Sequence, residues 1–459
     1  MERLTLDNAK NLVKMLVQKK KFSESEETLY RKLLWAFVEL GEAADAFKKG
    51  EDWYDIAEEL VDTIFYILDF INLVEKTQKI KINLDDLFLK KWKKNMARNY
   101  NYLDQKNMTN AENINQSLNQ ITIEINKKCF NECVHCSAYV SGDDVKKILS
   151  FEKIKEIIDS FVILGGEEIN ISGGEPLLHP NIFEILSYAK SQKIRVNLFT
   201  CGIYSNNFSK QLIEKVVKKI EKSSVDELMI TLHASYEEMH DQITKIEGTF
   251  NQTISFIKEL LRRNQNVSIH FVPMQINSED IEEVIDFLIN LKVEKLQILR
   301  FIPQGRGLEN RDWLSLKKDA FLHLLKKSLK FSDNKEIQIN LGHPSDFRFL
   351  LNSIIQPKPC TAGTEQCMID VNGNVIPCPA FGDLTQWIAG NIFQSNLSNI
   401  WTKSELFDQL RKFKYQKIQG ACKECEFLYL CKGRCPAERI RQNGALYQGP
   451  DPLCPKQLI

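Results

Sequence analysis

The chain has 459 residues, enough for roughly two to four domains rather than one core. Its 61 basic and 61 acidic residues cancel, which excludes a global electrostatic pull toward nucleic acid or membrane surfaces. A hydrophobic share of 43% excludes a disordered chain, and no apolar run reaches the ~18 residues of a membrane span, since even LVDTIFYILDFINLV is broken by Asp62 and Asp69.

The opening residues MERLTLDNAKNLVK lack the basic-then-apolar pattern of a secretory signal, so the cytoplasm is the expected compartment. Helical spacing of apolar residues in LYRKLLWAFVELGEAADAF and WYDIAEELVDTIFYILDFINLV predicts an all-α helical bundle over 1–103. Within it Glu39 pairs with Glu42, and Glu59 with Asp62, at i,i+3 spacing that sets each pair of carboxylates on one helix face among apolar neighbours. Two uses are open: a solvated acidic stripe, or oxygen ligands of the kind magnesium prefers. DQKNMTNAENINQSLNQ (104–120) is polar and aperiodic, a linker.

From 121 to 335 the period changes. ITIEI, EEINIS, IRVNLFT, ELMITLHA, VSIHFVP and KLQILRF alternate with amphipathic stretches such as SFEKIKEIIDSFVIL and IEEVIDFLINL. Six strands alternating with helices predict parallel β/α units, with chemistry collecting at the carboxyl ends of the strands. Past 335 the regular pattern fades into a cysteine-rich stretch, 336–459.

The twelve cysteines are unevenly placed: none before 129, three at 129–136, Cys201 alone, and eight between 360 and 454. In a reducing compartment such clusters point to metal ligation rather than cross-linking. Cys129, Cys133 and Cys136 form C-x3-C-x2-C on the loop after the first strand. Three thiolates under-fill a closed zinc site or a four-iron cluster. Either His135 or His179 completes a zinc knuckle, or a cluster keeps one iron open for chemistry; spacing alone allows both. After the second strand, ISGGEPLLHP (171–180) adds two glycines for close backbone approach to a ligand, Glu175 as an acceptor, and Pro176 to fix the turn. Cys201, after the third strand, is either a small buried hydrophobe or a hydrogen donor facing the cavity.

Together CFNECVHC and the residues Gly173, Gly174, Glu175 and Pro176 make 119–335 resemble the radical SAM superfamily, an α/β partial (β/α)6 TIM-type barrel. The resemblance implies a 4Fe-4S cluster on Cys129, Cys133 and Cys136 whose open iron binds S-adenosylmethionine. The GGEP element would hold the methionyl amino group, and one electron would release a 5′-deoxyadenosyl radical for hydrogen abstraction. His135 falls where the family places a ring near the adenine, and Thr231 where a serine commonly meets the cofactor. Many members carry an arginine at about the place of Thr244; here Arg300, ending the sixth strand, is a candidate for the cofactor carboxylate instead. In RFIPQGRGLENRDW (300–313), Arg300 and Arg306 either meet an anionic substrate or are solvated on a glycine-rich turn.

The eight late cysteines complete two sets of four. CTAGTEQCMIDVNGNVIPC, CKECEFLYLCKGRC and Cys454 resemble the SPASM extension of radical SAM enzymes, which carries two auxiliary 4Fe-4S clusters. By that resemblance Cys360, Cys367, Cys378 and Cys435 hold one cluster, and Cys422, Cys425, Cys431 and Cys454 the other, three clusters in all with the first. From spacing alone, structural zinc sites also fit. The two acid pairs, followed by KWKKNMARNY, resemble the all-α nucleoside triphosphate pyrophosphohydrolases of the MazG type. This implies Mg2+ on Glu39, Glu42, Glu59 and Asp62, with Lys91, Asn95 and Arg98 beside the phosphates, and a homodimer through the helical domain.

The expected function is radical SAM chemistry, oxidative in outcome, on a nucleotide or nucleotide-derived small molecule supplied by the helical domain. A one-electron donor such as flavodoxin or ferredoxin is implied, and neither membrane nor direct nucleic-acid binding is expected. The alternative is a SPASM-type peptide-modifying maturase whose helical domain only dimerises or senses a nucleotide.

Overall fold

In a computed structural model, the described residues are 6–20, 28–49, 52–87, 117–138, 146–205, 208–331, 334–352 and 355–458. They fall into two compact units, Met1–Thr109 and Asn110–Ile459. Among them no helix is long and apolar enough to cross a membrane.

The first unit is helical: α1 (Leu6–Lys20), α2 (Thr28–Lys49) and α3 (Trp53–Gln78). Asp52 caps α3 by accepting from the Tyr54 N–H, and Lys79 ends it in a left-handed conformation. Its core is small. Val13, Val17, Leu68 and Leu84 form one cluster, and Ala43 with Ile56 another. Trp35, Phe37, Val38, Ile64 and Phe65 are all more than 40% exposed, so α2 and α3 leave much apolar surface uncovered. Lys91, Asn95 and Arg98, and most of the expected linker, lie outside the described residues.

The second unit is built on a ten-stranded sheet. Eight strands are parallel, and seven of them pair in chain order: β1 (Gln120–Glu124), β2 (Glu168–Ser172), β3 (Arg195–Thr200), β4 (Glu227–Thr231), β5 (Val267–Phe271), β6 (Lys295–Ile298) and β7 (Gln338–Leu341). On the other edge β8 (Gln366–Ile369) joins β1 in parallel, and β9 (Asn374–Ile376) and β10 (Gly390–Asn391) follow antiparallel. Helices α4 (Phe151–Ile163), α5 (Ile182–Ser191), α6 (Lys210–Ser223), α7 (Glu237–Thr244), α8 (Thr249–Arg262) and α9 (Ile281–Asn290) lie between the first six strands. The α4 sequence shows why: Ser150 caps it, and Ile154, Ile157, Ile158 and Phe161 form one buried stripe. The sheet does not stop at the six strands expected between 121 and 335. The added strands are four residues or fewer, too short to show a period of two.

One face of the sheet is polar. Thr122, Asn170 and Asn197 stand in register on β1, β2 and β3. Asn197 Nδ2 donates to Asn170 Oδ1 at 3.0 Å, and Asn170 Nδ2 to Thr122 Oγ1 at 3.4 Å. Because side chains alternate along a strand, this face leads through Glu124 toward Asn126 and the cysteine loop.

Burial also holds His270, on β5, down to about 4 from 6.5. Below about pH 6.5 the unfolded chain binds this proton, while the native state refuses it until about pH 4. Stability therefore rises with pH across that window. Acidification from about pH 6.5 to about pH 4.5 is expected to cost about 2–3 kcal/mol through this residue. Urea midpoints measured against pH should show that slope, and His270→Gln should flatten it by a corresponding amount.

Candidate active site

The cysteine loop leaves the carboxyl end of β1 and is held by main-chain contacts from three directions. The Glu132 and Val134 N–H groups donate to the Thr244 and Ile243 carbonyls at the end of α7, both at 2.9 Å. From the GGEP side, the Gly174 N–H donates to the Asn126 carbonyl at 2.8 Å and the Glu175 N–H to the Lys128 carbonyl at 2.6 Å. From the segment after β6, Arg306 Nε donates to the Cys133 carbonyl at 3.0 Å and Asn310 Nδ2 to the Val134 carbonyl at 2.9 Å.

The glycines of the GGEP turn serve this chain-to-chain approach. A Cβ on Gly173 would lie 2.4 Å from Asn126 Oδ1, and one on Gly174 2.3 Å from the Lys127 carbonyl oxygen. Their closest neighbours are the residues leading into the cysteine loop. Pro176 is buried and opens a short 3-10 turn.

Glu175 is fully buried, and its carboxylate is engaged by the protein itself. Oε1 accepts from the Leu177 N–H at 2.9 Å and the Thr200 hydroxyl at 2.7 Å; Oε2 accepts from the Cys201 N–H at 2.9 Å and the Cys201 thiol at 3.0 Å. Those four donors fill the lone pairs of a carboxylate. The side chain is thus a tie between the segments that follow β2 and end β3 rather than an open acceptor. Burial raises the Glu175 carboxyl, and these hydrogen bonds pull against it.

Cys201 and Thr200 were not singled out as partners of Glu175 by sequence; their place at the carboxyl end of β3 was the available signal. A hydrogen bond from Cys201 lowers the Cys129 thiol, so the single Cys201 proton faces both Cys129 and Glu175. Burial pushes the Cys133 thiol well up, and Cys136 and Cys129 add to it by repulsion. Such mutually opposed thiols are stabilised as thiolates by a bound cationic centre.

His135 and His233 meet edge to face at 4.6 Å between ring centroids, and His240 lies 5.2 Å from His233. Burial holds His135 down to about 4, helped by Arg306 and His240. The Nδ1 atoms of His135 and His233 are buried without a protein partner, beside Cys133. His179 is different: Nε2 meets the Leu149 carbonyl and Nδ1 accepts from the Asn181 N–H, so it is no fourth metal ligand. Thr231 is half-buried at the end of β4.

Arg300 is neither solvated nor open to a cofactor carboxylate. It makes a two-pronged pair with Asp451, at 2.8 and 2.9 Å. Arg306, open by sequence to a substrate contact or to solvent, donates instead to the Cys133 carbonyl of the cysteine loop. Thr244, where an arginine was sought, is buried and bonded to Thr249 at 2.7 Å.

Among the late cysteines, Cys422, Cys425, Cys431 and Cys454 act on one another electrostatically. Cys360, Cys378 and Cys435 do likewise. Cys367 sits on β8 in register with Ile121, and the charge it feels is that of Arg411. Main-chain N–H groups point at these sulfurs: Ala362 at Cys360, Ala380 and Phe381 at Cys378, Gly433 at Cys431 and Lys456 at Cys454. The first loop repeats this, with Asn131 at Cys129 and Ala138 at Cys136. N–H donors aimed at grouped thiols suit iron–sulfur clusters, whose potentials such bonds set.

In the helical unit, Glu39, Glu42 and Glu59 offer ligand atoms that all lie within 4.8 Å of one another. The Glu39 carboxyl is raised, first by partial burial, then by Glu42, by a hydrogen bond with Glu59, and by Asp62.

Comparison with known proteins agrees with the second unit's geometry. Residues 123–288 match the Radical SAM superfamily, and residues 360–426 match SPASM, an iron–sulfur cluster-binding domain. The chain is 26% identical over 365 residues to the AdoMet-dependent heme synthase of Methanosarcina barkeri, covering 76% of this chain and 97% of that protein. It is 27% identical over 357 residues to Mycofactocin maturase MftC of Mycolicibacterium smegmatis, covering 73% and 82%. The fold is similar to that of Streptococcus suis SuiB bound to precursor peptide SuiA, with a TM-score of 0.60, 18% identity, and coverage of 74% and 76%. The chain thus carries a radical SAM domain followed by a SPASM domain, with strands of both on one continuous sheet.

Proposed function

We propose that the enzyme oxidatively modifies a peptide. The observation that carries this reading is the pair of grouped auxiliary cysteine sets on the same body as the three-cysteine loop. Cys129, Cys133 and Cys136 would hold the first 4Fe-4S cluster, and the main chain of 173–176, with Thr231 and the His135–His233 rings, would bind S-adenosylmethionine. When bound, these cofactors supply a 5′-deoxyadenosyl radical that abstracts a hydrogen atom from the substrate. The buried rings and the GGEP turn exclude water from that step. Cys422, Cys425, Cys431 and Cys454 would hold one auxiliary cluster; Cys360, Cys378 and Cys435, with Cys367 as fourth ligand, would hold the other. Full ligation suits acceptance of the electron left on the substrate, because it leaves no coordination position for other ligands.

The nucleotide-derived substrate expected from the domain fusion gives way to a peptide, because relatives of the second unit include a maturase and a protein solved with its precursor peptide. The test is anaerobic reconstitution with iron and sulfide, then S-adenosylmethionine, a one-electron donor, and short peptides encoded beside this gene. Peptide-stimulated 5′-deoxyadenosine, with loss of hydrogen mass from the peptide, is expected. Stimulation by nucleotides and by no peptide would overturn the reading.

A second reading concerns the helical unit, and the convergence of Glu39, Glu42 and Glu59 favours it. These residues, with Asp62, bind Mg2+ for nucleoside triphosphate hydrolysis, and the exposed Trp35 and Phe37 face a second copy of the chain. Mg2+-dependent pyrophosphate release that disappears in Glu39→Gln is the expected result. No release from the folded wild-type chain leaves the unit as a dimerisation module.

A further inference from the structure

The eleven residues from Arg300 to Asn310 reach the main chain beside each cysteine set of the second unit, directly at Cys133 and next to Cys378, and through Asp451 at Cys435 and next to Cys454. At one end Arg300, buried with 4% of its side chain exposed, grips the Asp451 carboxylate at 2.8 and 2.9 Å. That carboxylate accepts the Cys435 N–H at 3.1 Å and the Leu453 N–H at 2.9 Å, one residue before Cys454. Glu438 lies 3.5 Å from the same guanidinium. In the middle, Gln304, 2% exposed, donates to the carbonyls of Pro379 and Ala380 at 3.2 and 2.7 Å, directly after Cys378. Beyond it, Arg306 and Asn310 hold the Cys133 and Val134 carbonyls. Gly307 lies so close to the His135 carbonyl that an added Cβ would be 3.0 Å from its oxygen.

We propose that residues 300–310 form a strap setting the auxiliary domain against the first cysteine loop. Within it, Arg300 is a positioning residue whose charge, opposed to that of Asp451, tunes the reduction potential of the auxiliary cluster that Cys435 helps to hold. The physical reason is charge in a place water does not reach. Reduction adds one negative charge to a cluster, and a buried guanidinium nearby favours that state, while a buried carboxylate opposes it. Asp451 also fixes the main chain at Cys435 and beside Cys454, so the pair controls position and field together. The inference rests on the auxiliary cysteines holding clusters.

The test uses the full chain, reconstituted anaerobically, with iron counted and the clusters titrated by potentiometric electron paramagnetic resonance. The first-loop cluster is recognised by the change in its signal on adding S-adenosylmethionine. Arg300→Gln is expected to move an auxiliary midpoint negative by about 60 mV, tenfold in the ratio of reduced to oxidised cluster, and leave the first-loop signal in place. Asp451→Asn should move it positive, and Arg300→Lys should stay near the wild type. Full iron loading with unmoved auxiliary midpoints in both Arg300→Gln and Asp451→Asn overturns the proposal, as does an equal shift of all signals. Loss of auxiliary iron in Arg300→Gln but not in Arg300→Lys supports it; loss in both overturns the tuning role. A wild-type chain holding only one cluster's worth of iron would instead refute the auxiliary-cluster assignment beneath it.

Discussion

Replacing Cys136 with alanine is expected to abolish reductive cleavage of S-adenosylmethionine while the chain keeps its auxiliary iron. The three thiols of the first loop are half-buried and raise one another by repulsion, and each main-chain N–H aimed at them fits a cluster sulfur ligand. With only three protein ligands, losing one leaves two, and the one further thiol beside the loop among the described residues, Cys201, is hydrogen-bonded to both Cys129 and Glu175. A drop in 5′-deoxyadenosine of about a thousandfold or more is the expected scale, because the whole barrier reduction supplied by the cofactor is lost rather than one hydrogen bond's share. Iron content should fall by one cluster of three. Retained cleavage, with iron still bound, would remove this loop from the chemistry.

Gly174→Ala is the second large effect. Its Cβ would meet the Lys127 and Lys128 carbonyl oxygens at 2.3 and 2.4 Å, and both belong to the backbone immediately before Cys129. A flexible side chain could swing aside; a main chain tied by the Glu175 N–H at 2.6 Å pulls the cysteine loop with it. We expect a loss of about 3 kcal/mol or more in stability, in the range reserved for forced main-chain shifts in a packed interior. S-adenosylmethionine binding should be lost even at temperatures where the variant remains folded. Gly165 is the control. It has φ +81° and nothing within 4 Å of where a Cβ would stand, so alanine there should cost only about 1 kcal/mol, the ordinary strain of a left-handed residue. Thermal melts of both variants, with a binding titration, separate the two causes. Equal losses at the two glycines would mean that the contact with Lys127 and Lys128 carries no special weight.

The legible parts of this protein were those written in local spacing. C-x3-C-x2-C stays on one loop whatever the rest of the chain does, and the six strands with their helices are visible because period two and period 3.6 differ within a few residues. The acid pairs on α2 and α3 were legible as pairs for the same reason, although only packing of one helix on the other brings Glu59 to Glu39 and Glu42. Strands β7 to β10 escaped because a strand of two to four residues carries too little pattern.

Long-range partners were not legible. Arg300 reads equally well as a cofactor ligand, a substrate contact or a solvated charge until Asp451, 151 residues away, is seen to hold it. Glu175 reads as an acceptor for a ligand until Thr200 and Cys201 are found on its oxygens. Composition and spacing by themselves determined that thiolates would gather for metal and that the core would be parallel α/β, since both follow from short-range geometry. Which charges meet, and therefore which residues remain to serve a cofactor, was decided only by the sheet bringing distant strand ends together, because a hydrogen bond depends on distance in space and takes no account of separation along the chain.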